Sequence, residues 1–119
     1  MTLKSDYYYD AVVNNVVDGD TIDVAVDLGF NIFTNMRLRL NGIDTKETNS
    51  KIAEERELAN RAKQLVIERL LNKKVLLKTY KPDKYGRYLA DVFVDINAES
   101  INTVLVNEGL AVPYFGGAK

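Results

Sequence analysis

Residues 8–28 read YYDAVVNNVVDGDTIDVAVDL, a pattern typical of a β-hairpin. Residues 8–17 form the first predicted strand, and Asp18-Gly19 supplies the residue types that tight hairpin turns prefer. From Thr21 to Leu28 apolar and polar residues alternate. The apolar face carries Ile22, Val24, Val26 and Leu28. This alternation indicates a second strand with one buried face.

Further along the chain, the same patterns predict three more strands and two helices. They are Ile32–Leu40, Lys74–Tyr80, Tyr88–Val94, a long helix over about Ser50–Leu71 and a short helix over Ser100–Glu108. Residues 41–49 are predicted as a loop, Gly109 as a helix stop and residues 110–119 as an irregular tail. Five strands with a helix between the third and the fourth indicate a mainly β, α+β fold. We predict a five-stranded OB-fold Greek-key barrel that forms one domain over residues 1–119.

The long predicted helix carries signals for its ends and for its buried face. Asn49 or Ser50 can cap its first turn, and Asn72 with Lys73 ends it. Its buried stripe is expected to consist of Leu58, Ala62, Leu65, Val66 and Leu70. A helix with such a stripe is expected to pack against the barrel.

The amino-acid composition excludes several classes of enzyme. The 119-residue chain contains no histidine and no cysteine, which rules out histidine-based triads, thiolate zinc sites and disulfides. Acid–base chemistry near neutral pH then falls to Asp, Glu, Tyr or Lys. The formal net charge is −1, so a nucleic-acid site would depend on local clusters of Arg and Lys rather than on overall charge.

Neither a membrane-spanning segment nor a signal peptide is visible in the sequence. No apolar run approaches the length of a transmembrane helix, and the first ten residues, MTLKSDYYYD, contain no apolar core. We therefore expect a cytoplasmic protein that does not bind membranes, or a secreted protein if a leader was removed. We also expect a monomer.

Three motifs supply polar side chains in the combination that a metal-assisted phosphodiesterase requires. They read DGDT at residues 18–21, RLNGIDTKE at residues 39–47 and DKYGR at residues 83–87. Their carboxylates at Asp20, Asp44 and Glu47 can hold a hard cation or act as a base. Arg39 and Arg87 carry guanidinium groups that can bind two phosphate oxygens at once.

Each motif also has a plainer structural interpretation. Asp-Gly pairs form turns readily, residues 41–49 can be a solvated loop, and DKYGR can be a tight turn with solvated charges. Asp20 is less easily explained in this way. It shares the parity of Ile22 and Val24, so it projects toward the apolar face, where a carboxylate requires a partner or an ion.

Further basic and aromatic residues leave two interpretations open. Tyr85 can stack on a base or donate to a phosphate. Arg37, two residues before Arg39, is interpreted as a surface charge, with an auxiliary phosphate contact as the alternative. The lysines around the fourth predicted strand form either a DNA-tracking patch or a solvated face, and they are Lys73, Lys74, Lys78, Lys81 and Lys84.

Taken together, the three motifs resemble the staphylococcal nuclease (thermonuclease) family, whose members have an SNase-like OB-fold domain. The matching segments are VDGDT at residues 17–21, RLNGIDTKE at 39–47, DKYGRYLA at 83–90 and VNEGLA at 106–111. The similarity therefore covers about residues 11–111. It implies a calcium-dependent hydrolase, an endonuclease that cleaves DNA and RNA to leave 3′-phosphate ends.

The resemblance also implies a metal site and a catalytic base. Asp20 and Asp44 would bind Ca²⁺ together with the backbone carbonyl of Thr45. Glu47 would orient or deprotonate the attacking water.

For the substrate, the resemblance implies two sets of phosphate contacts. Arg39 and Arg87 would bind the scissile phosphate and stabilise the charge that builds on it. Lys84 and Tyr85 match positions that contact the terminal phosphate of the nucleotide.

The sequence departs from the family at Lys46, which stands where proline usually precedes the acid. The loop that carries Glu47 is then expected to be less rigid, and the added positive charge to act on base strength or phosphate contacts. The alternative hypothesis is a non-catalytic OB-fold module that binds nucleic acid or a protein. Retention of all five charged site residues favours the nuclease, since a binding module does not require them.

Overall fold

The computed structural model describes residues 7–82 and 84–114. Asp83, the first residue of the DKYGR motif, and residues 1–6 and 115–119 lie outside the described part. In chain order the elements are β1 (Tyr7–Asp18), β2 (Thr21–Asp27), β3 (Phe33–Leu40), β4 (Ile43–Thr45), α1 (Ala53–Leu70), β5 (Lys74–Tyr80), β6 (Tyr88–Phe93), α2 (Ile101–Asn107) and β7 (Ala111–Pro113). Neither described helix is long and apolar enough to cross a membrane.

Five strands close into a barrel in the order β1-β2-β3-β6-β5, which confirms the predicted OB-type architecture. All five strands were predicted to within one residue at each end. Neighbouring strands are antiparallel except β3 and β6, which run parallel. The pairing of Asp18 with Thr21 closes the predicted hairpin, with the turn at Gly19-Asp20, one residue later than the predicted Asp18-Gly19. Because side chains alternate along each strand, Ile22, Val24 and Leu38 all lie in the buried interior.

A second, two-stranded sheet corrects the prediction. β4 lies in the segment that was predicted as a loop, and β7 lies in the predicted irregular tail; the two strands pair antiparallel, with Asp44 opposite Val112. The backbone N–H of Tyr114 extends this pairing with a 2.8 Å bond to the carbonyl of Gly42. Strands of three residues are too short to show an alternating pattern, which is why the sequence did not indicate them.

The long helix α1 begins three residues later than predicted, at Ala53. Neither Asn49 nor Ser50 is its N-cap; Ile52 holds that position without a side-chain bond. Ser50 acts just outside the helix, where its hydroxyl accepts from the N–H of Ile52 at 3.2 Å and donates to Glu55 at 2.8 Å.

The helix ends where the sequence predicted, and its buried face differs slightly from the predicted stripe. Asn72 follows α1 with a φ of +63°, a conformation that Asn tolerates better than most residues. The buried residues of α1 are Ala59, Ala62, Val66 and Leu70. Leu58 and Leu65, which were predicted as core, are only partly buried and pack against the hydrophobic core from outside. Ala59 takes the interior position instead.

The short helix α2 carries a buried polar residue that holds two barrel strands together. Asn102 donates to the carbonyls of Asn41 at 2.9 Å and Ala90 at 3.1 Å, and it accepts from the N–H of Val92 at 3.2 Å. The end of β3 is thereby joined to β6. Since Arg39 lies at the end of β3 and Arg87 directly precedes β6, these bonds fix the spacing of the two arginine-bearing segments.

Candidate active site

Asp20 is the second residue of the two-residue turn between β1 and β2, and only 7% of the residue is exposed. Its burial agrees with the parity that it shares with Ile22. The turn can pack closely against α1 because residue 19 is glycine: a Cβ at Gly19 would lie 2.7 Å from the Cβ of Ala62. This close contact fixes the position of Asp20 relative to α1, and it requires glycine at residue 19.

Arg39 joins the separated motifs. It pairs with Thr21 across β2 and β3, and its guanidinium donates from Nη1 to Asp20 Oδ2 at 2.9 Å and from Nη2 to Asp44 Oδ1 at 3.2 Å. Nη2 also donates to the backbone carbonyl of Ile43 at 3.1 Å. The two carboxylates thus converge on one positive group, with bonds that are stronger than those between neutral partners.

The β4–β7 sheet covers Arg39 and orients the second motif. The ring of Tyr114 lies 5.6 Å from Arg39 Cζ, measured to the ring centroid, within the range of a cation–π contact. Thr45 is buried, and its N–H bonds to Asp20 Oδ2 at 3.3 Å. The side chain of Asp44 is half exposed, so it faces Arg39 on one side and solvent on the other.

These residues line a cleft of about 330 Å³. The cleft brings together six of the eight site residues predicted from the sequence: Asp20, Arg39, Asp44, Thr45, Glu47 and Arg87. Its remaining lining consists of Asp18, Thr21, Lys46 and Tyr114. The three motifs, separate in the sequence, therefore form one acidic and guanidinium-lined site.

Lys84 and Tyr85 lie beside this cleft rather than in it. Lys84, Arg87 and Tyr114 line a second cleft of about 340 Å³, which Arg39 also borders. The exposed ring of Tyr85 is contacted by two cations, Lys84 Nζ at 5.2 Å and Arg87 Cζ at 5.1 Å from its centroid. Tyr85 therefore orders the two basic side chains in this structure, a contact that the sequence did not indicate.

Glu47 is exposed at the mouth of the cleft, directly before the turn that leads to α1. Its neighbour Lys46 has its Nζ 3.6 Å from Glu55 Oε2 in the first turn of α1. The positive charge that replaces the family's proline is therefore partly balanced by an acid outside the three motifs.

The oxygen groups around Arg39 suit a hard cation. Asp20 and Asp44 present carboxylate oxygens, and Ca²⁺ binds such groups together with backbone carbonyls and water. Within residues 7–82 and 84–114, no three Asp, Glu, His or Cys side chains lie close enough to share a metal ion. The two carboxylates would therefore need main-chain oxygens, such as the carbonyl of Thr45, and water to complete a coordination shell.

Arg37, two residues before Arg39, makes a surface ion pair. It donates to Asp23 from Nε at 2.8 Å and from Nη2 at 3.2 Å, and Asn15 bonds to the same carboxylate at 3.1 Å. The hydrogen bonds from Arg37 and then from Asn15 hold the pKa of Asp23 below its ordinary value. The carboxylate in turn raises the pKa of Arg37. This agrees with the interpretation of Arg37 as a surface charge.

Three residues that line the cleft were missed in the sequence: Asp18, Thr21 and Tyr114. Tyr114 follows β7, and the short strand gave no periodic signal. Asp18 was assigned to the turn alone, although it also lines the cleft. An Asp-x-Asp spacing at the end of a strand is the one signal that pointed to it.

The chain is similar to known proteins over most of its length. The model of the family described as staphylococcal nuclease homologue matches residues 37–118, more than half of the chain. The chain is similar to a thermonuclease of Staphylococcus intermedius, with 35% identity over 102 residues, 84% of this chain and 56% of that protein. It is similar to Protein ParB of Escherichia coli, with 32% identity over 109 residues, 86% of this chain and 55% of that protein.

A third relative is the SPbeta prophage-derived endonuclease YokF of Bacillus subtilis, with 38% identity over 103 residues. That match covers 86% of this chain and 33% of the relative. The chain thus spans about half the length, or less, of these curated relatives.

Proposed function

Because this chain belongs to the staphylococcal nuclease family, we propose that it is a calcium-dependent phosphodiesterase that hydrolyses DNA, RNA or both. The products are strands with 3′-phosphate and 5′-hydroxyl ends. The active site is the cleft that contains Asp20, Arg39, Asp44, Glu47 and Arg87. The protein acts as a monomer on an accessible nucleic-acid strand.

One observation carries this proposal: Arg39 bonds to Asp20 and to Asp44 within a cleft that also contains Glu47 and Arg87. A barrel needs no such arrangement for its stability, since burying charged groups is costly even when they are paired. Carboxylates, a base and two guanidinium groups in one cleft match the requirements of phosphodiester hydrolysis.

Arg39 and Arg87 bind the scissile phosphate. A guanidinium has five N–H donors, and among the described residues the bonds of Arg39 to Asp20, Ile43 and Asp44 use three of them. Two donors then remain for phosphate oxygens. Asp20, Asp44 and the ring of Tyr114 hold the guanidinium of Arg39 in place. Its orientation is therefore set before substrate binds, which favours stabilisation of the transition state.

Glu47 accepts the proton of the attacking water. The sequence has no histidine, so a carboxylate at the mouth of the cleft is the general base available at neutral pH. The water oxygen bonds to phosphorus, and the bond from phosphorus to the 5′-oxygen breaks. The leaving 5′-oxygen takes up a proton from solvent, and the phosphate stays on the 3′-oxygen.

Asp20, Asp44 and the carbonyl of Thr45 would hold the calcium ion. When bound, the ion supplies positive charge to the phosphate and acidifies the attacking water. Thr21 and the N–H of Thr45 keep Asp20 oriented, since they donate to its Oδ1 at 3.1 Å and its Oδ2 at 3.3 Å. Lys84 and Tyr85 contact the next phosphate of the strand.

The test is cleavage of single-stranded DNA and RNA in Ca²⁺ and in EGTA. We expect cleavage that requires Ca²⁺ and falls at least about 10²-fold in Glu47→Gln and in Arg87→Ala. Arg69→Ala is the matched control for loss of an arginine, because Arg69 is exposed at the end of α1, away from the cleft. Its activity should equal that of the wild type. A polymerase should extend the 3′ ends of the products only after phosphatase has removed their 3′-phosphates.

Two results would contradict the mechanism. Cleavage that persists in EGTA, or in Glu47→Gln, would remove the proposed cation or base. A wild-type protein that binds oligonucleotides in Ca²⁺ without cleaving them would instead support the non-catalytic OB-fold module.

A further inference from the structure

Arg39 and Arg87 lie where three clefts meet. They line the carboxylate cleft, they line the cleft that contains Lys81 and Lys84, and they line a third cleft along β3. A phosphodiester has a nucleoside on each side. If the two arginines hold a phosphate, the strand continues from it in two directions. It therefore needs two clefts besides the one in which water attacks.

The third cleft, which we call the β3–Tyr88 cleft, has a volume of about 590 Å³. This lies within the range of small-ligand sites, about 300–1,000 Å³. It is open because β6 pairs with β3 only at Leu38–Leu40, whereas β2 pairs with β3 from Phe33 onward. Among the described strands, the first half of β3 consequently has a neighbour on one side only.

The lining of the β3–Tyr88 cleft suits a nucleobase better than a phosphate. Tyr88, which lines it, is 49% exposed, Met36 contributes apolar surface, and Thr34 and Asn35 contribute polar groups. The one further cation, Arg37, is already bound by Asp23 through two hydrogen bonds. The cleft on the other side of the arginines adds two lysines, Lys81 and Lys84, to a lining that also includes Leu89 and Tyr114, and these lysines suit a phosphate.

We propose that the β3–Tyr88 cleft binds the base of the nucleotide on one side of the scissile phosphate, with the ring of Tyr88 as its stacking platform. This inference rests on the proposed function, because it needs a phosphodiester at Arg39 and Arg87. The strand then runs from the lysine-lined cleft, across the two arginines, to Tyr88. Stacking on a tyrosine accepts any base, so this site contributes affinity rather than sequence specificity.

The experiment measures binding of the dinucleotide TpT and of its two analogues that each lack one base. A dinucleotide has a single phosphodiester, so the register at the arginines is fixed. Calorimetry in Ca²⁺ uses proteins that carry Glu47→Gln to prevent hydrolysis, with Tyr88 intact, Tyr88→Phe or Tyr88→Ala. Thermal unfolding of each protein checks that the exposed substitution leaves the barrel folded.

Tyr88→Ala should weaken TpT binding about 5- to 150-fold, the range expected for one base–aromatic stack, and Tyr88→Phe should stay within about twofold. With Tyr88 intact, removal of one particular base should weaken binding by a similar factor. The analogue that lacks this base should bind equally well with and without the Tyr88 ring, because the interaction is already absent.

Equal affinity of Tyr88→Ala and the parent for all three ligands would overturn the subsite. If the wild type still cleaved single-stranded DNA, the proposed phosphodiesterase would stand. Absence of TpT binding to every protein would also overturn the subsite, and the cleavage assay would then decide separately whether the proposed function fails with it.

Discussion

Arg39 Nη1 lies 2.9 Å from Asp20 Oδ2, and the two side chains are only 11% and 10% exposed. The pair joins the end of β3 to the β1–β2 turn, two parts of the chain that carry different motifs. Breaking a buried ion pair leaves the remaining charge without compensation, which costs more than the pair itself contributes. Arg39 therefore has a structural role in addition to the proposed phosphate contact.

We expect Arg39→Ala to destabilise the protein by about 3 kcal/mol in the absence of Ca²⁺, because Asp20 would stay buried without its positive partner. Urea denaturation in EGTA measures this change. Arg37→Ala is the matched control, since Arg37 lies on the same strand with 64% of its side chain exposed. Loss of its surface pair should cost far less, because solvent screens the exposed charges. Equal losses in both variants would refute the distinction.

Calcium should raise the melting temperature of the wild type if Asp20 and Asp44 hold the ion. A free Ca²⁺ concentration of 100 times the dissociation constant corresponds to about 2.7 kcal/mol of added stability. Asp44→Asn should abolish most of this gain. Because the side chain of Asp44 is half exposed, the substitution should leave the protein folded, so a lost gain reports lost calcium binding. Asp23→Asn, an acid paired on the surface, should keep the full gain. Differential scanning calorimetry with Ca²⁺ and with EGTA checks these results.

Gly19→Ala should destabilise the fold by about 1–3 kcal/mol, because its Cβ would meet the Cβ of Ala62 at 2.7 Å. The turn would move away from α1 and carry Asp20 with it, so activity should fall as well. Ala62→Gly tests this explanation. By itself it should cost about 1 kcal/mol as a helix glycine, yet combined with Gly19→Ala it should cost less than the sum. Strict additivity would show that the two positions do not clash.

The carboxyl group of Asp23 should titrate below its ordinary pKa of 3.8. The pair with Arg37 favours the ionised form, so its small contribution to stability is present above the unfolded-state pKa and is lost as the pH falls through the lowered folded-state pKa. NMR of the carboxyl carbon follows the titration directly. In Arg37→Ala the midpoint should rise toward 3.8, and an unchanged midpoint would assign the shift to Asn15 instead.

The site could be predicted in part because strand alternation is a local property. The parity of Asp20 with Ile22 predicted a carboxylate on the buried side of β2, and the structure has it there. Strand alternation also gives Arg37 and Arg39, two residues apart, the same face of β3. It could not distinguish them, since the difference in their burial comes from β4 and Tyr114, which cover only Arg39.

The five barrel strands, the hairpin between the first two and the long helix followed from the sequence alone. Each depends on residues close together in the chain, where apolar spacing and turn residues act directly on the backbone. The motifs likewise contain the charged residues that the cleft brings together.

Tertiary structure alone decided how those residues meet. The pairing of β4 with β7, the contact of Gly19 with Ala62, and the bonds of Asn102 between Asn41 and Ala90 all join segments that are distant in the chain. Such contacts leave no periodic pattern, because they form only once the barrel has closed and has fixed the distances between its strands. The sequence therefore determined which groups the site contains, and packing determined that Arg39 would hold its two acids together.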